Sequence, residues 1–565
     1  MLKPNTSLII DPLIDISEKV TIPVIKGGHH ITRREYFATN FSNSSCHFSV
    51  PPPSSNTFLS RRILLKIPVK LRFVGVIENT DGTTGLLTEN YDAFRQLPLA
   101  SLMKTLTIKI NGCVISLPVN DVIKPMLMYH KNNKHLNARS CSMSPFMRDQ
   151  FQDYNNRART IAGYTEYADD FLATQTYKNP CLKNPLGTGV YSNLNTGNPR
   201  GAFQYDRFTQ SRVGQLPVEI DTILVEELFI SPLVFGGGCE DGFVNIKNLD
   251  IDIQWDSHLE KIWSHAPTAS QGDALADYKR FTGLTVTLGD TTDKPSVLFE
   301  YVTPRYHTPI PQSIQYNYNE IQRYTTPLSG NYIFNGEFVS ERSNNVQFQV
   351  IPRHIYICVR RSPNGLDTLE KRVTQPDSYG SIEKLEINWN NNATLFTNAS
   401  QEQLYDMSRK NGCDLSYQEW SARDMYMYFG EEFANAQDTD NKTVNGIGSV
   451  ICLEMGVDIP LKPGESPGTR GVFNFQCTLT GKWKSHNRNW QGLPNAFPLP
   501  IEIMFITSTP GIFIIQGDKA MKQVGVIDAG DVSRAQRNPR LTYKKSKMDI
   551  MTGGMDYKNA CQCGN

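Results

Sequence analysis

The sequence has almost no net charge, because 57 basic residues face 56 acidic ones and leave a formal charge of +1. Such a balance creates no overall field that would draw the protein to nucleic acid or to a charged membrane surface. It also lets copies of the chain lie side by side without strong repulsion. The charge therefore fits either an ordinary soluble protein or one that packs against itself.

Long apolar runs are missing as well. No stretch approaches the ~18 apolar residues that a membrane-spanning helix needs, so none is predicted, and contact with a membrane stays open. Residues 1–30 alternate apolar residues with Pro, Asp and Lys. Because this pattern lacks the continuous apolar core of a signal peptide, we expect no secretory leader.

Closely spaced cysteines are scarce. The eleven cysteines are odd in number and scattered, and only Cys561 and Cys563, near the C-terminus, are close neighbours. Secreted proteins held by disulfides carry an even set of cysteines at regular spacings. The pattern therefore indicates reduced thiols in a cell interior and assigns no role to the C-terminal pair.

A coherent active site is also absent from the sequence. Residues 464–468 match the nucleophile pattern G-x-S-x-G, but Ser466 precedes a proline, which lacks the backbone N–H that an oxyanion hole needs. The glycines at 236–238 lack the lysine and helix of a phosphate-binding loop. His258 and His486 have no repeated metal-binding residue beside them. We predict no catalytic residue, no metal and no cofactor.

Strand patterns dominate what is present. Alternating or β-branched apolar runs, bounded by Pro, Gly and Asn, recur at residues 61–76, 106–117 and 244–255, among others. Helical patterns are few and short, as at residues 120–130 and 400–411. The sequence therefore predicts an all-β fold with a few short helices.

Residues 232–258 and 460–486 repeat one order of residues. In each, Pro-Leu is followed by a Gly three positions before an Asn, and then by an alternating strand that ends in Trp-x-Ser-His. The matched positions are Pro232, Gly242, Asn245, Trp255 and His258 in the first copy, and Pro460, Gly471, Asn474, Trp483 and His486 in the second. Two copies at so long a spacing indicate a duplicated domain, with chance similarity between strands as the alternative.

The repetition extends upstream of these segments. Residues 61–73 and 352–361 are strand patterns in matching places, and residues 101–113 resemble 381–391, where an alternating strand ends in Asn. A helical pattern follows in both halves. Each half then holds about eight strands, the number of a jelly roll rather than of a seven-stranded immunoglobulin domain. We therefore predict two tandem eight-stranded jelly rolls.

Prolines at residues 301–316 mark a stiff linker between the two halves. The halves differ most in the loop after the helical pattern, which spans 131–222 in the first half and 413–449 in the second. We expect the longer insertion to form an ordered projection. The predicted parts are an N-terminal arm at 1–54, a first jelly roll at 55–305, a second at 306–515 and a C-terminal arm at 516–565.

Two tandem jelly rolls with unequal projecting loops resemble viral double jelly-roll major capsid proteins, the lineage of adenovirus hexon and of virophage, Polinton-like virus and adintovirus capsid proteins. The resemblance covers about residues 55–515 in order and pattern. The stretches that carry it best are "NLDIDIQWDSHLEKIWSH" (248–265), "IPRHIYICVRR" (351–361), "LEINWNNNATLFTNASQEQLYDMSRKNGC" (385–413) and "VICLEMGVDIPL" (450–461).

This resemblance implies a structural protein of the virion that forms homotrimers. Six similar jelly rolls then give each trimer a pseudo-hexagonal outline, which tiles an icosahedral capsid. Expected partners are the protein itself, penton proteins and other minor capsid proteins. Synthesis is expected in the host cytoplasm, with import into the nucleus for assembly left open.

The C-terminal run at 534–547 carries six basic residues and no acidic one. Six charges are too few to neutralise a packaged duplex, so direct genome binding is expected to be minor or absent, and the run is expected to hold neighbouring proteins beneath the shell. One alternative to the capsid function is a two-domain β-sandwich that binds or hydrolyses glycans, which the 10% aromatic content favours. Another is a capsid protein with one shell domain and one projecting domain.

Overall fold

The structure of the protein is a computed structural model. It describes residues 29–54, 57–74, 92–95, 97–129, 207–209, 218–233, 242–265, 281–304, 313–328, 337–363, 369–373, 379–390, 392–413, 415–421, 424–426, 443–445, 448–482, 500–525, 528, 530, 532 and 533. Within these ranges, no helix is long and apolar enough to cross a membrane.

The described residues up to Pro304 form a first lobe. Its strands are β1 (His29–Phe37), β2 (Asn40–Phe41), β3 (Ser45–Val50), β4 (Phe58–Leu59), β5 (Leu64–Val74), β6 (Asp92–Phe94), β7 (Met103–Ile110), β8 (Cys113–Leu117), β9 (Arg207–Thr209), β10 (Val218–Glu227), β11 (Leu249–Trp255), β12 (Trp263–His265), β13 (Gly283–Leu288) and β14 (Ser296–Pro304). Its helices are α1 (Pro98–Leu102), α2 (Val119–Leu127) and a 3₁₀ helix (Leu259–Ile262).

The described residues from Ser313 onward form a second lobe. Its strands are β15 (Ser313–Pro327), β16 (Glu337–Arg342), β17 (Val346–Val350), β18 (His354–Arg361), β19 (Ser381–Trp389), β20 (Asn392–Leu395), β21 (Asp424–Tyr426), β22 (Thr443–Asn445), β23 (Val450–Glu454), β24 (Arg470–Lys482), β25 (Ile501–Gln516) and β26 (Lys519–Val524). Its helices are α3 (Leu369–Val373), α4 (Gln401–Lys410) and α5 (Tyr417–Trp420).

The two lobes share one strand order. In each lobe, the first and last main strands lie in one sheet, here called the terminal sheet, with the order β1-β14-β5-β10 in the first lobe and β15-β25-β18-β23 in the second. The other main strands form a medial sheet, β3-β11-β7-β8 and then β16/β17-β24-β19-β20. All pairs are antiparallel. The prediction of two eight-stranded jelly rolls is confirmed.

The core of each lobe lies between its two sheets, as the alternation of the strands requires. On β11, Ile251 and Ile253 are buried, whereas Asp252 between them points to solvent. In the second lobe, Phe475 on the medial sheet meets Phe505 on the terminal sheet, with 5.2 Å between ring centroids. Apolar contact between the paired sheets therefore stabilises each jelly roll.

The structure changes the limits of the predicted N-terminal arm. β1 and β3 lie within residues 1–54, but they pair with β14 and β11 and belong to the first jelly roll. β1, "HHITRREYF", is the outermost strand of its sheet, and its sequence gives no clear strand pattern. Its side chains need not follow a strict apolar alternation, since most of them are exposed.

Two other predicted limits also move. β26 pairs with β25 and so belongs to the second jelly roll, although its residues fall in the predicted C-terminal arm at 516–565. β10 begins at Val218, inside the predicted insertion at 131–222. Between the lobes, β14 ends at Pro304 and β15 begins at Ser313. The basic run at 534–547 and most of the insertion lie outside the described residues.

Candidate functional site: a repeated turn and the junction between the lobes

The first lobe contains a turn built around a buried asparagine. Asn111 follows β7 in the left-handed conformation, with φ 45°. Its side-chain Oδ1 accepts the backbone N–H groups of Lys247 (2.7 Å) and Asn248 (3.1 Å), and its Nδ2 donates to the carbonyl of Asn245 (2.7 Å). Its own N–H donates to the carbonyl of Asn248 at 2.9 Å. One side chain thus joins the β7–β8 hairpin to the start of β11.

The second lobe repeats this turn. Asn390 follows β19 with φ 51°, and its Oδ1 accepts the N–H of Asn474 at 2.8 Å. Its own N–H donates to the carbonyl of Asn474 at 2.8 Å. Asn474 therefore occupies the place of Asn248. The sequence match of Asn474 with Asn245 is wrong by three residues, because hydrogen bonds to the turn set the register, not the Gly-x-x-Asn spacing.

A bulge at the far end of the same strand confirms this register. Trp255 lies opposite Met103 and Gly481 lies opposite Ile382, and in both pairs one residue of the partner strand is skipped. Trp255 thus corresponds to Gly481 rather than to Trp483, two residues further on. The environment of Trp483 lies outside the described residues.

The two matched glycines both lie at close contacts. A Cβ atom on Gly242 would come within 3.1 Å of the Cβ of Phe58, and one on Gly471 would come within 2.6 Å of the Phe473 ring. A side chain at either position would push a neighbour aside. These glycines are therefore explained by packing in their own lobes.

The remaining matched positions lie in connecting segments. The N–H of His258 donates to Asp256 Oδ1 at 3.0 Å, immediately before the 3₁₀ helix. Pro232 follows β10, and its carbonyl accepts a bond from Arg61 at 3.4 Å, while Pro460 follows β23. His486 lies outside the described residues. Within the part of the chain that is described, no group of His, Cys, Asp or Glu side chains could hold a metal ion.

The lobes meet at a cluster of buried charges. Asp121 on α2 of the first lobe is only 8% exposed and lies against the terminal sheet of the second lobe. Its Oδ1 forms an ion pair with Arg360 Nη1 at 2.6 Å, and its Oδ2 contacts Arg323. Arg360 also donates through Nε to Glu502 at 2.8 Å. Two arginines and two carboxylates therefore balance each other across the junction. Partial burial lowers the pKa of Arg323.

A second contact covers the free edge of the second terminal sheet. The Tyr129 hydroxyl of the first lobe and Trp420 Nε1 of the second both donate to the carbonyl of Val450 on the edge strand β23, the latter at 2.9 Å. The ring of Tyr129 also lies 5.3 Å from that of Tyr356. An exposed strand edge invites pairing with other chains, and here both lobes close it.

The same edge is closed further along by α4. Ser408 Oγ accepts the N–H of Cys452 at 3.4 Å, and Asn411 Nδ2 donates to its carbonyl at 2.8 Å. The capping box at the start of α4 fixes this helix, since Ser400 and Gln403 bond each other's backbone N–H groups at 3.3 and 3.0 Å.

Aromatic contacts join the lobes near β15. The Tyr316 hydroxyl accepts the N–H of Val244 at 3.1 Å, and its ring lies 4.8 Å from that of Phe243. The Arg61 guanidinium lies over both rings, at 4.7 and 5.1 Å. Arg95 of the first lobe also reaches the second, where its guanidinium donates to the carbonyl of Arg372 at 2.5 Å. The junction therefore combines ion pairs, hydrogen bonds and aromatic contacts between the two lobes.

Comparison with protein families agrees with this geometry. The family described as Sputnik virophage major capsid protein 1st domain matches residues 5–301, more than half of the chain. The family described as major capsid protein V20 C-terminal domain matches residues 321–509. The chain belongs to the Sputnik virophage major capsid protein family. Members of this family are structural proteins of the virion, and the alternative of a glycan-acting protein is not supported.

Individual relatives of this virophage capsid family match over nearly the whole chain. The putative capsid protein V20 of Sputnik virophage is 26% identical over 543 residues, covering 96% of this chain and 83% of that protein. The capsid chain in the cryo-EM structure of the Sputnik virophage has a TM-score of 0.74 at 24% identity, covering 96% and 97% of the two chains. The mavirus major capsid protein crystal structure has a TM-score of 0.64 at 14% identity, covering 95% and 99%.

One feature of the site, the turn at Asn111, is visible in the sequence, whereas the charge cluster at the junction is not. Asn111 and the glycine after it form an Asn-Gly pair between two apolar runs, which is a strong hairpin signal. Asp121, Arg360 and Glu502 are far apart in sequence, and nothing local indicates that they meet. The repeated turn could have been found from sequence, whereas the charge cluster could not.

Proposed function

We propose that this capsid protein closes into homotrimers with a pseudo-hexagonal outline, and that these trimers tile an icosahedral shell. The observation that supports this most is the identical strand order of two lobes held by one specific junction. Three copies then present six similar lobes. A head-to-tail contact that closes gives a ring of defined size, and six similar corners suit a hexagonal lattice.

The partners follow from this arrangement. The first partner is the chain itself, and penton and other minor capsid proteins would fill the positions that a hexagonal unit cannot occupy. The basic run at 534–547 would lie beneath the shell against such proteins, with direct genome binding minor or absent. The insertion predicted at 131–222, apart from the residues of β9 and β10, would form the larger projection of the trimer. We assign no catalytic step and no cofactor to the chain.

Purified protein tests this proposal directly. Size-exclusion chromatography with light scattering is expected to give the mass of three 63.7 kDa chains. Negative-stain electron microscopy of the same peak is expected to show particles with threefold symmetry and a hexagonal outline. A stable monomer at micromolar concentration, or a dimer, would contradict the proposal.

A further inference from the structure

The two terminal sheets have the same strand order but differ in what covers their outward faces. In the second lobe, this face carries Arg360 and every second residue before it on β18, together with Glu502 and every second residue after it on β25. The buried members are Tyr356 (8% exposed), Cys358 (0%), Met504 (0%) and Ile506 (0%). The first lobe contributes α2 and Tyr129 to this cover.

The corresponding face of the first lobe has several exposed apolar side chains among the described residues. Ile31 and Phe37 on β1 are 42% and 57% exposed, and Ile223 on β10 is 38% exposed. Between these strands, Leu298 and Val302 on β14 are half-buried and point the same way, since Val302 lies opposite Ile31. The inward residues of β10 and β14 are buried, as expected for a packed sheet, whereas those of the outermost strand β1 are half-buried or exposed. Several exposed apolar side chains on one sheet face are typical of an interaction site.

The paired charges on this face restrict the kind of partner. Arg33 pairs with Glu300 at 3.3 Å and Lys66 with Glu35 at 3.1 Å, while Lys70 pairs with Asp290. These pairs leave little net charge of either sign, so the face suits a nearly neutral partner rather than nucleic acid. Another copy of this chain, with its net charge of +1, meets that requirement.

The contact between the lobes supplies the geometry. Within one chain, the first lobe packs against the outward face of the next lobe's terminal sheet. In a closed ring of similar lobes, every terminal sheet receives the preceding lobe in this way. The first lobe's sheet has no preceding lobe within its own chain.

We propose that the outward face of the first terminal sheet, around Ile31, Phe37 and Ile223, receives the second lobe of another copy of this chain. The inference rests on the proposed closed trimer and assigns the surface that closes it. The contact between chains then resembles the contact between lobes, and the same type of sheet face is covered six times in each ring.

Two substitutions on this face test the proposal against a matched control. The variant Phe37→Glu/Ile223→Glu changes only outward, exposed positions, so it should keep the circular dichroism spectrum and melting temperature of the wild type. We expect it to be a folded monomer at concentrations at least tenfold above those at which the wild type is trimeric. The control Val457→Glu, at a residue 72% exposed in a turn of the second lobe, should remain a trimer.

Each result has a distinct meaning. If the double variant forms trimers as readily as the wild type, or if the control dissociates equally, the assigned surface is wrong while the trimer stands. If the wild type itself is monomeric, the proposed function fails, and the surface assignment fails with it.

Cross-linking identifies the occupant. Trimers assembled from mixed isotopically light and heavy chains are treated with a lysine-reactive cross-linker and analysed by mass spectrometry. We expect light–heavy links from Lys66 or Lys70 to lysines of the second lobe. Links from these residues only to Lys19 or Lys26 of the same chain would place the N-terminal segment on the face and overturn the proposal.

Discussion

Asn111 and Asn390 occupy the same turn but carry unequal numbers of hydrogen bonds. Both have positive φ, a conformation that non-glycine residues other than Asn rarely adopt. The Asn111 side chain makes three bonds from a buried position, whereas that of the half-buried Asn390 makes one. Leaving buried partners unsatisfied is the larger penalty.

We therefore expect Asn111→Ala to lower the free energy of unfolding by about 2–3 kcal/mol and Asn390→Ala by only about 1 kcal/mol. Urea unfolding followed by tryptophan fluorescence measures both. Asn390→Gly serves as a control, since it keeps the backbone freedom and removes only the side-chain bond. Equal losses for the two alanine variants would show that hydrogen bonds do not distinguish the turns.

Glu226 is a fully buried carboxyl group within the first lobe. Burial raises its pKa to about 7, against the opposing effect of the N–H groups of Leu99 and Ala100, each of which donates to it at 2.8 Å, and of Lys124. Because the folded-state pKa lies above the reference value of 4.5, the protonated form favours folding. This contribution is complete below pH 4.5 and is lost as the pH rises through about 7.

Unfolding measured between pH 5 and pH 8 is expected to reveal this group. The wild type should lose stability with rising pH by up to about 1.4 kcal/mol per pH unit from Glu226 alone below its folded-state pKa. The variant Glu226→Gln cannot titrate and should show a shallower dependence. Parallel curves for the two proteins would mean that Glu226 is already ionised in the folded state throughout this range.

At the scale of elements, α2 connects the lobes through one carboxylate. Removing it breaks the ion pair with the largely buried Arg360, and removing one partner of a buried ion pair costs about 3–5 kcal/mol. We expect Asp121→Ala to lower stability by that amount and to reduce hydrogen-exchange protection in both α2 and β18.

The control for this variant is Asp406→Ala. It removes an ion pair with Lys410 at 2.6 Å on the exposed surface of α4. Exposed pairs of this kind often contribute nothing measurable, so stability and exchange should be unchanged. A loss confined to α2, with β18 fully protected, would show that the charge cluster does not couple the lobes.

The sequence predicted those elements whose patterns are local. The matched runs at 61–73 and 352–361 became the third main strands, β5 and β18, and the runs at 101–113 and 381–391 became the fourth, β7 and β19. Strand alternation and a terminal asparagine are visible without knowing the partner strand. These features sufficed to predict the duplication and the fold class.

Register and edge strands could not be read in the same way. The shared Gly-x-x-Asn letters aligned Asn245 with Asn474, but backbone bonds to Asn111 and Asn390 show that Asn248 is the equivalent residue. The outermost strand β1 falls within the predicted arm because its exposed side chains, polar and apolar, show no strict alternation. Both errors have one cause, since register and edge position depend on contacts distant in sequence.

At the scale of the whole molecule, the junction should make the two lobes unfold together. Cys46 in the first lobe and Cys477 in the second are each 1% exposed, and burial raises the pKa of the Cys46 thiol to about 12 and that of Cys477 higher still. Neither thiol should react with iodoacetamide until its own lobe opens. Burial also raises the pKa of the half-buried Cys113 thiol, but this residue is more accessible than either of them, so its earlier labelling should show that the reagent is active.

Labelling across a urea series, read by mass spectrometry of peptides, then reports each lobe separately. In the wild type, Cys46 and Cys477 should become labelled at the same urea concentration. Unfolding of either lobe breaks the buried charge and aromatic contacts of the junction, and this loss destabilises the other lobe. In Asp121→Ala, the two midpoints should move apart as each lobe unfolds with its own stability. Separate midpoints already in the wild type would mean that the lobes fold independently, and that the lobe contact is too weak to serve as the pattern for contacts between chains.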